Sequence, residues 1–224
     1  MKNVSIAIDG PSGAGKSTLA RALAKEKGYL YVDTGAIYRT LGCCVRRAGA
    51  NPADEAAVMK LLRSVSVELR HGEDGLQHMF LNGEDVSEEI RLPEISKYAS
   101  AVSAHPVVRT YLLEMQRALA RSHSVVMDGR DIGTVVLPDA DVKIFLTASV
   151  EARAERRCRE LRERGTPEPL DQVRGEIVQR DWDDSHRAAA PLRQAEGAVT
   201  VDTTELDFQE SLAALLRAVE EALR

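Results

Sequence analysis

Val4-Ser5-Ile6-Ala7-Ile8-Asp9, then Gly10-Pro11-Ser12-Gly13-Ala14-Gly15-Lys16-Ser17, then Thr18-Leu19-Ala20-Arg21-Ala22-Leu23-Ala24-Lys25 reads as a buried strand, a glycine-rich turn and an amphipathic helix. The turn satisfies G-x-x-x-x-G-K-[ST] in full. Its glycines let the backbone bend so that successive N–H groups face a phosphate at the positive end of the helix. Lys16 then sets a cation against the β- and γ-phosphates of a nucleotide, and Ser17 offers a hydroxyl to Mg²⁺. A chance glycine-rich loop is the plain alternative, but the strand before the motif and the helix after it are the context that the motif requires.

Outward from that stretch, composition sets bounds. The chain has 224 residues, 44% hydrophobic and 29% charged, enough for one proper core and a small appended domain. Its apolar runs are strand-sized and its N-terminal residues lack the pattern of a signal peptide, so a cytoplasmic protein is expected. Cys43 and Cys44 are adjacent and Cys158 is remote, which is neither a disulfide framework nor a metal-ligand spacing. The five histidines are scattered, and the net charge of −5 argues against broad binding to nucleic acid or a membrane surface. A small anion held by a few local arginines stays open.

Along the chain, Gly28 stops the first helix and Tyr29 to Val32 form a second strand, followed by Asp33-Thr34-Gly35-Ala36-Ile37-Tyr38-Arg39. Thr34 is the expected N-cap of a helix reaching to about Gly49. Pro52 opens the next helix, with Val58, Leu61, Leu62 and Val65 as its apolar side. The period then changes: Val65 to Leu69 alternates, Gly72 to Gly75 turns, Leu76 to Leu81 returns, and Asn82-Gly83 signals a hairpin. Helices are expected over Pro93 to Ala104 and Pro106 to Ser122, the second with Val108, Tyr111, Leu112, Met115 and Leu119 on one face. Ser124 to Asp128 is a strand ending in a carboxylate, before the loop Gly129-Arg130-Asp131-Ile132-Gly133. Lys143 to Thr147 is the next strand. Arg153 to Arg164 is an arginine-rich helix, readable as a solvated face with Glu155–Arg159 and Glu160–Arg164 pairs. A helix from Pro169 to Asp184, a strand from Ala198 to Val201, and a last helix with Phe208, Leu212, Leu215, Leu216, Val219 and Leu223 on its docking face complete the chain.

Strands alternating with helices predict an α/β fold, a five-stranded parallel sheet flanked by helices with ligands at the carboxyl ends of the strands. Loops after Asp9, Asp33 and Asp128 all leave such ends and are expected to meet in one cleft. Phosphoryl transfer needs positioning and charge neutralisation, and an acceptor that is itself a phosphate needs no general base but does need guanidinium groups around it. Arg39, Arg109, Arg130, Arg180 and Arg187 are candidates; each taken singly is more often a surface ion-pair residue, but the group outweighs its members. Asp128 is expected to orient Mg²⁺ or its waters, or else to cap the loop that follows it.

With those residues in view, the chain resembles the bacterial cytidylate kinases, nucleoside monophosphate kinases, from Val4 to about Asp202. The motifs are Gly10 to Lys16, Asp33 to Arg39, Gly83-Glu84-Asp85-Val86-Ser87, Asp128 to Val136 and Arg180-Asp181, with the inserted hairpin the most discriminating feature. The resemblance implies transfer of the γ-phosphate of ATP to CMP or dCMP, with Mg²⁺, by a monomer that binds neither nucleic acid nor membrane. It implies that Ser100, Arg109 and Asp131 hold the cytosine ring, that Arg39, Arg130 and Arg187 hold phosphate, and that Arg180 and Asp184 contact the sugar. Thr34, also on the acceptor side, stands where many members have Ser. Gly10, Pro11, Ser12, Gly13, Ala14, Gly15, Lys16, Ser17 and Thr18 form the ATP loop, with Arg153 and Arg157 added from a mobile lid. Catalysis falls to Lys16, Arg130, Arg187 and Asp128, and the metal to Ser17 and Asp128. Ser17 stands where many members have Gly, so the metal-facing hydroxyl is Ser17 or Thr18. The implied domains are a core (1–33, 107–150 and 185–224), a monophosphate-binding insert with a short antiparallel sheet (34–106) and a lid with its following helix (151–184). A kinase for AMP or a small metabolite is the nearest alternative, and the hairpin and the Gly129-Arg130-Asp131 loop argue against it. A GTPase-type switch would need an N-K-x-D element, which the sequence lacks.

Overall fold

The structure is a computed structural model and describes residues 3–72 and 76–224. In chain order the elements are β1 (Ser5–Asp9), α1 (Lys16–Lys27), β2 (Leu30–Asp33), α2 (Thr34–Arg47), α3 (Glu55–Leu62), β3 (Val67–His71), β4 (Gln77–Leu81) and β5 (Glu84–Asp85). They continue with α4 (Pro93–Ser103), α5 (Pro106–Ser122), β6 (Val125–Gly129), β7 (Val142–Thr147), α6 (Val150–Glu163), α7 (Leu170–His186), β8 (Val199–Asp202) and α8 (Phe208–Ala222). A 3₁₀ turn covers Glu89–Arg91 and a π-helical turn Ile132–Val136. The chain forms two compact units, Met1–Tyr31 with Ala120–Arg224, and Val32–Leu119.

The first unit is built on the five-stranded sheet, ordered β2-β6-β1-β7-β8, in which β1 pairs in parallel with both β6 and β7 and β7 with β8. Ile6, Ala7 and Ile8 are fully buried, as strands covered on both faces must be. Leu19, Ala20 and Leu23 of α1 and Leu215, Ala218 and Val219 of α8 complete that core. In α8, Phe208 and Leu223 were expected on the docking face but are exposed, and Ser211 is buried instead. Phe208 is the first residue of α8 and Leu223 its C-cap. A smaller core of Ala154, Leu161, Val173 and Ile177 joins α6 to α7. Because β1 and β6 are parallel neighbours, with Asp9 opposite Gly129, the loops that follow them leave side by side.

The second unit carries an antiparallel sheet ordered β3-β4-β5. Asn82 and Gly83 both have positive φ, 51° and 84°, the conformation a two-residue type I′ turn requires, and a third short strand follows them. The expected turn from Gly72 to Gly75 falls largely on residues 73–75, outside the described residues. Two helix starts differ from expectation: Asp33, rather than Thr34, caps α2 by accepting from Ala36 N, and α3 begins after Asp54, whose carboxylate accepts from Ala56 N and Ala57 N. A carboxylate reaches the free N–H groups of a first turn as a hydroxyl does and adds favourable charge. At its other end α3 stops at Leu62, so Val65 lies beyond it. On α5, Val108, Leu112 and Gln116 are buried, whereas Tyr111 is exposed and donates its hydroxyl hydrogen to Val65 O at 2.8 Å.

Candidate active site

In the first unit, Gly10, Gly13 and Gly15 all have positive φ, and Lys16 is the first residue of α1. Gly10 has a second reason to be glycine: a Cβ there would sit 1.9 Å from the carbonyl oxygen of Leu146 in β7. The Lys16 side chain is buried and donates from Nζ to Pro11 O at 2.7 Å. Burial and the neighbouring Arg130 hold its ammonium well below its ordinary pKa, against the pull of Asp128.

Asp128 ends the β6 approach to this loop. Its carboxylate accepts from Ser17 Oγ on Oδ2 and from Tyr31 Oη on Oδ1, both at 2.9 Å. Of the two P-loop hydroxyls, Ser17's is the one hydrogen-bonded to Asp128. Tyr31 lay outside the predicted site, since an aromatic in a short strand reads as core.

Around this pair stand three arginines and two carboxylates. Arg130 donates from Nε to Asp184 Oδ2 at 2.7 Å, while Arg187 lies 3.8 Å from Asp184 Oδ1 and 3.7 Å from Asp131 Oδ1. Asp184 is buried, which would raise its pKa, but Arg130, Arg180 and Arg187 together hold it below the ordinary carboxylate range. Arg187 is aimed by Nε donation to Ala190 O at 2.7 Å, and Ala190 takes a positive φ of 50° to present that carbonyl. The excess of guanidinium over carboxylate is the chemistry that holds phosphate.

Arg153 is buried. Its guanidinium donates to Ala148 O and Ser12 O and grips both carboxylate oxygens of Asp181, at 3.0 and 2.6 Å. It therefore braces the P-loop against α7. Arg157 pairs with Glu160 on its own helix at 3.1 Å, in place of the expected i,i+4 pairs.

In the second unit, Asp33 joins Thr34 and Arg39 into one corner. Besides capping α2, it accepts from Arg39 Nη2 at 2.8 Å. Gln77 of β4 holds the same residue by its backbone, accepting from Asp33 N at 2.8 Å and donating to Asp33 O at 3.1 Å. Thr34 is buried. Arg109 donates to Ser103 O at 3.1 Å and lies over the Tyr38 ring at 5.4 Å, and Ser103 in turn donates to Ser100 O. Gly42 lets α2 approach α4 at this point, where a Cβ would lie 2.8 Å from Ala99 N. Gln77 and Asp9, described below, were missed by sequence reasoning. Asp9 ends an apolar strand just as Asp128 does, and that shared position was the available signal.

A P-loop on a parallel sheet, a buried lysine at the first turn of its helix and a guanidinium cluster in the same unit define a P-loop phosphotransferase core. The cytidylate kinase family model matches residues 6–221. Similar proteins include the cytidylate kinase of Bacillus cytotoxicus, 48% identical over 100% of this chain and 99% of that one, and that of Caldicellulosiruptor bescii, 48% identical over 96% and 95%. The chain belongs to the cytidylate kinase family. It is thus a nucleoside monophosphate kinase.

Proposed function

We propose that the enzyme moves the γ-phosphate of ATP to CMP or dCMP, giving ADP and CDP or dCDP. The observation that carries this is the first unit's pairing of a P-loop lysine with the Arg130, Arg180 and Arg187 cluster: one set of charges for a donor polyphosphate and one for an acceptor that is also an anion. Backbone N–H groups of residues 10–18 hold the donor, and Lys16 exchanges the Pro11 carbonyl for its β- and γ-phosphates. Arg153 keeps the loop in shape through Ser12, and Arg157 is assigned to the same donor side. Arg39, Arg130 and Arg187 screen the acceptor phosphate, while Arg130, Arg187 and Lys16 meet the charge that spreads over the transferred group. The acceptor oxygen is already ionised at pH 7, so no side chain has to remove a proton from it. Arg180 and Asp184 take the sugar, Thr34 the acceptor pocket, and Ser100, Arg109 and Asp131 the cytosine.

The donor set of Ser17 Oγ and the Asp128 carboxylate, two hard oxygens in hydrogen-bond contact, fits Mg²⁺, which binds through one or two such groups with waters and phosphate. When bound, Mg²⁺ neutralises charge on the donor phosphates. Free thiols at Cys43, Cys44 and Cys158 and dependence on ATP support the cytoplasm as its compartment. No helix among the described residues is long and apolar enough to cross a membrane. Its action is assigned to a monomer, without nucleic acid, for which the net charge of −5 offers no broad electrostatic surface.

ADP release measured against CMP, dCMP, UMP, AMP and no acceptor tests the proposal. CMP and dCMP should support turnover. UMP, which sets an acceptor oxygen against Asp131, should fall about 5- to 150-fold, the cost of one unpaired buried polar group. Equal rates with UMP or AMP would overturn the assignment.

A further inference from the structure

Asp9 has no part in the roles above, yet both oxygens of its buried carboxylate are engaged. It is the last residue of β1, 2% exposed, and its two oxygens accept from two successive backbone N–H groups, Ile132 to Oδ1 and Gly133 to Oδ2, each at 2.7 Å. Ile132 directly follows Asp131, the residue assigned to the cytosine, and Arg130 precedes that. Asp131 itself is the N-cap of the π-helical turn, with φ −146° and ψ 27°, and its carbonyl accepts from Val135 N and Val136 N at 2.9 and 3.2 Å. The Asp9 carboxylate holds the other side of the same peptide, the Ile132 N–H.

Two further observations show the seat to be specific. A Cβ on Gly133 would come within 3.2 Å of Ala195 Cβ and 3.4 Å of Asp9 Oδ2, so the loop is closed in from both sides. Holding a carboxylate here is also costly: burial, with Asp131 as a like charge nearby, pushes its pKa up to about 6 against the two N–H bonds and Lys16. An apolar side chain would cover the loop without that cost, but it would not grip two N–H groups.

We infer that Asp9 is a positioning residue for acceptor recognition: it clasps the backbone of Ile132 and Gly133 and so fixes Arg130 and Asp131. Its main chain runs directly into Gly10, so the loop that takes the donor phosphates and the loop that reads the acceptor share one anchor. The inference rests on the assignment of Arg130 and Asp131 to the acceptor.

Asp9→Asn tests it. The amide keeps the shape but turns a donor toward one of the two N–H groups, leaving that group buried without an acceptor. The expected result is a rise in KM for CMP of about 5- to 150-fold and a smaller preference for CMP over UMP. KM for ATP should stay within about twofold, because the donor loop keeps its backbone. A purely structural role would lower the melting temperature and the yield of active enzyme with both KM values unchanged, and that result overturns the inference. Asp131→Asn, run in parallel, separates the two levels. If it leaves the CMP-over-UMP preference intact, the assignment of Asp131 fails and the inference with it. If it abolishes that preference while Asp9→Asn leaves KM for CMP alone, only the role of Asp9 is rejected. Should Asp9→Asn not fold, Gly133→Ala displaces the same N–H from the other side, with the same split expected and an unchanged KM for CMP again overturning it.

Discussion

Ser17 Oγ donates to Asp128 Oδ2 at 2.9 Å, joining the first turn of α1 to the end of β6. The two residues are 111 positions apart in the chain, and the parallel pairing of β1 with β6 is what brings them together. Tyr31 fills the other carboxylate oxygen, so Asp128 is held in one orientation from both sides.

If Ser17 and Asp128 hold the metal, Ser17→Ala should weaken it about 10- to 100-fold, the usual effect of losing a group that ligates or orients a ligand. The check is the Mg²⁺ concentration giving half-maximal rate, together with calorimetry of ADP binding with and without Mg²⁺. Thr18→Ala should change neither. A larger effect at Thr18 than at Ser17 would reverse the assignment.

Lys16→Ala should lower kcat about 10²- to 10³-fold, the scale of removing one charge-stabilising donor from a transition state. CMP affinity measured by calorimetry should be unchanged, because the lysine acts on the donor phosphates. Loss of CMP binding in a folded variant would contradict that division of labour.

Stability should carry a pH signature from Asp9. Its folded pKa of about 6 lies above the ordinary carboxylate value, so the folded state binds more protons and stability falls as pH rises from about 4 to above 6. The neighbouring charges are Asp131, which adds to the rise, and Lys16, which opposes it. A shift of about two units corresponds to about 3 kcal/mol. Urea unfolding at pH 4 through 7 should show the native protein losing about that much relative to Asp9→Asn across this window. Parallel curves for the two proteins would refute it.

The sheet and the P-loop were legible because their signals are local: apolar runs of strand length, glycines at turns and a complete motif. Helix starts shifted by one to three residues because Asp33 and Asp54 compete with hydroxyl and proline signals near them. Arg153 was harder. Its partners Ser12 and Asp181 lie 141 and 28 residues away, and nothing in a run of arginines marks the one that is buried. Gln77 and Asp9 act on backbone groups distant in sequence, so only the folded chain displays them.

Gly42→Ala should report on the acceptor side of the second unit. The added Cβ would lie 2.8 Å from Ala99 N and 3.2 Å from Ala99 Cα, backbone atoms that cannot rotate away. Separating α2 from α4 should cost about 1–3 kcal/mol, seen as a lower melting temperature. Ser100 is the next residue, so KM for CMP should rise while KM for ATP holds. An unchanged melting temperature would mean that the helices have slack there.

Gln77→Ala tests whether the inserted sheet supports the acceptor residues. The Gln77 amide accepts from Asp33 N and donates to Asp33 O, so truncation removes both bonds at the corner from which Thr34 and Arg39 project. Losing the pair should cost about 1–3 kcal/mol at a half-buried position. Asp33 still caps α2 and still holds Arg39, so the helix should survive, with its far-ultraviolet dichroism unchanged. The loss should appear instead as a KM for CMP raised about 5- to 150-fold, with kcat reduced less and KM for ATP unaffected. Gln77→Glu keeps the acceptor for Asp33 N but sets a carboxylate oxygen against Asp33 O. It should therefore be no better than alanine, and a near-native KM for CMP in either variant would detach the small sheet from acceptor binding.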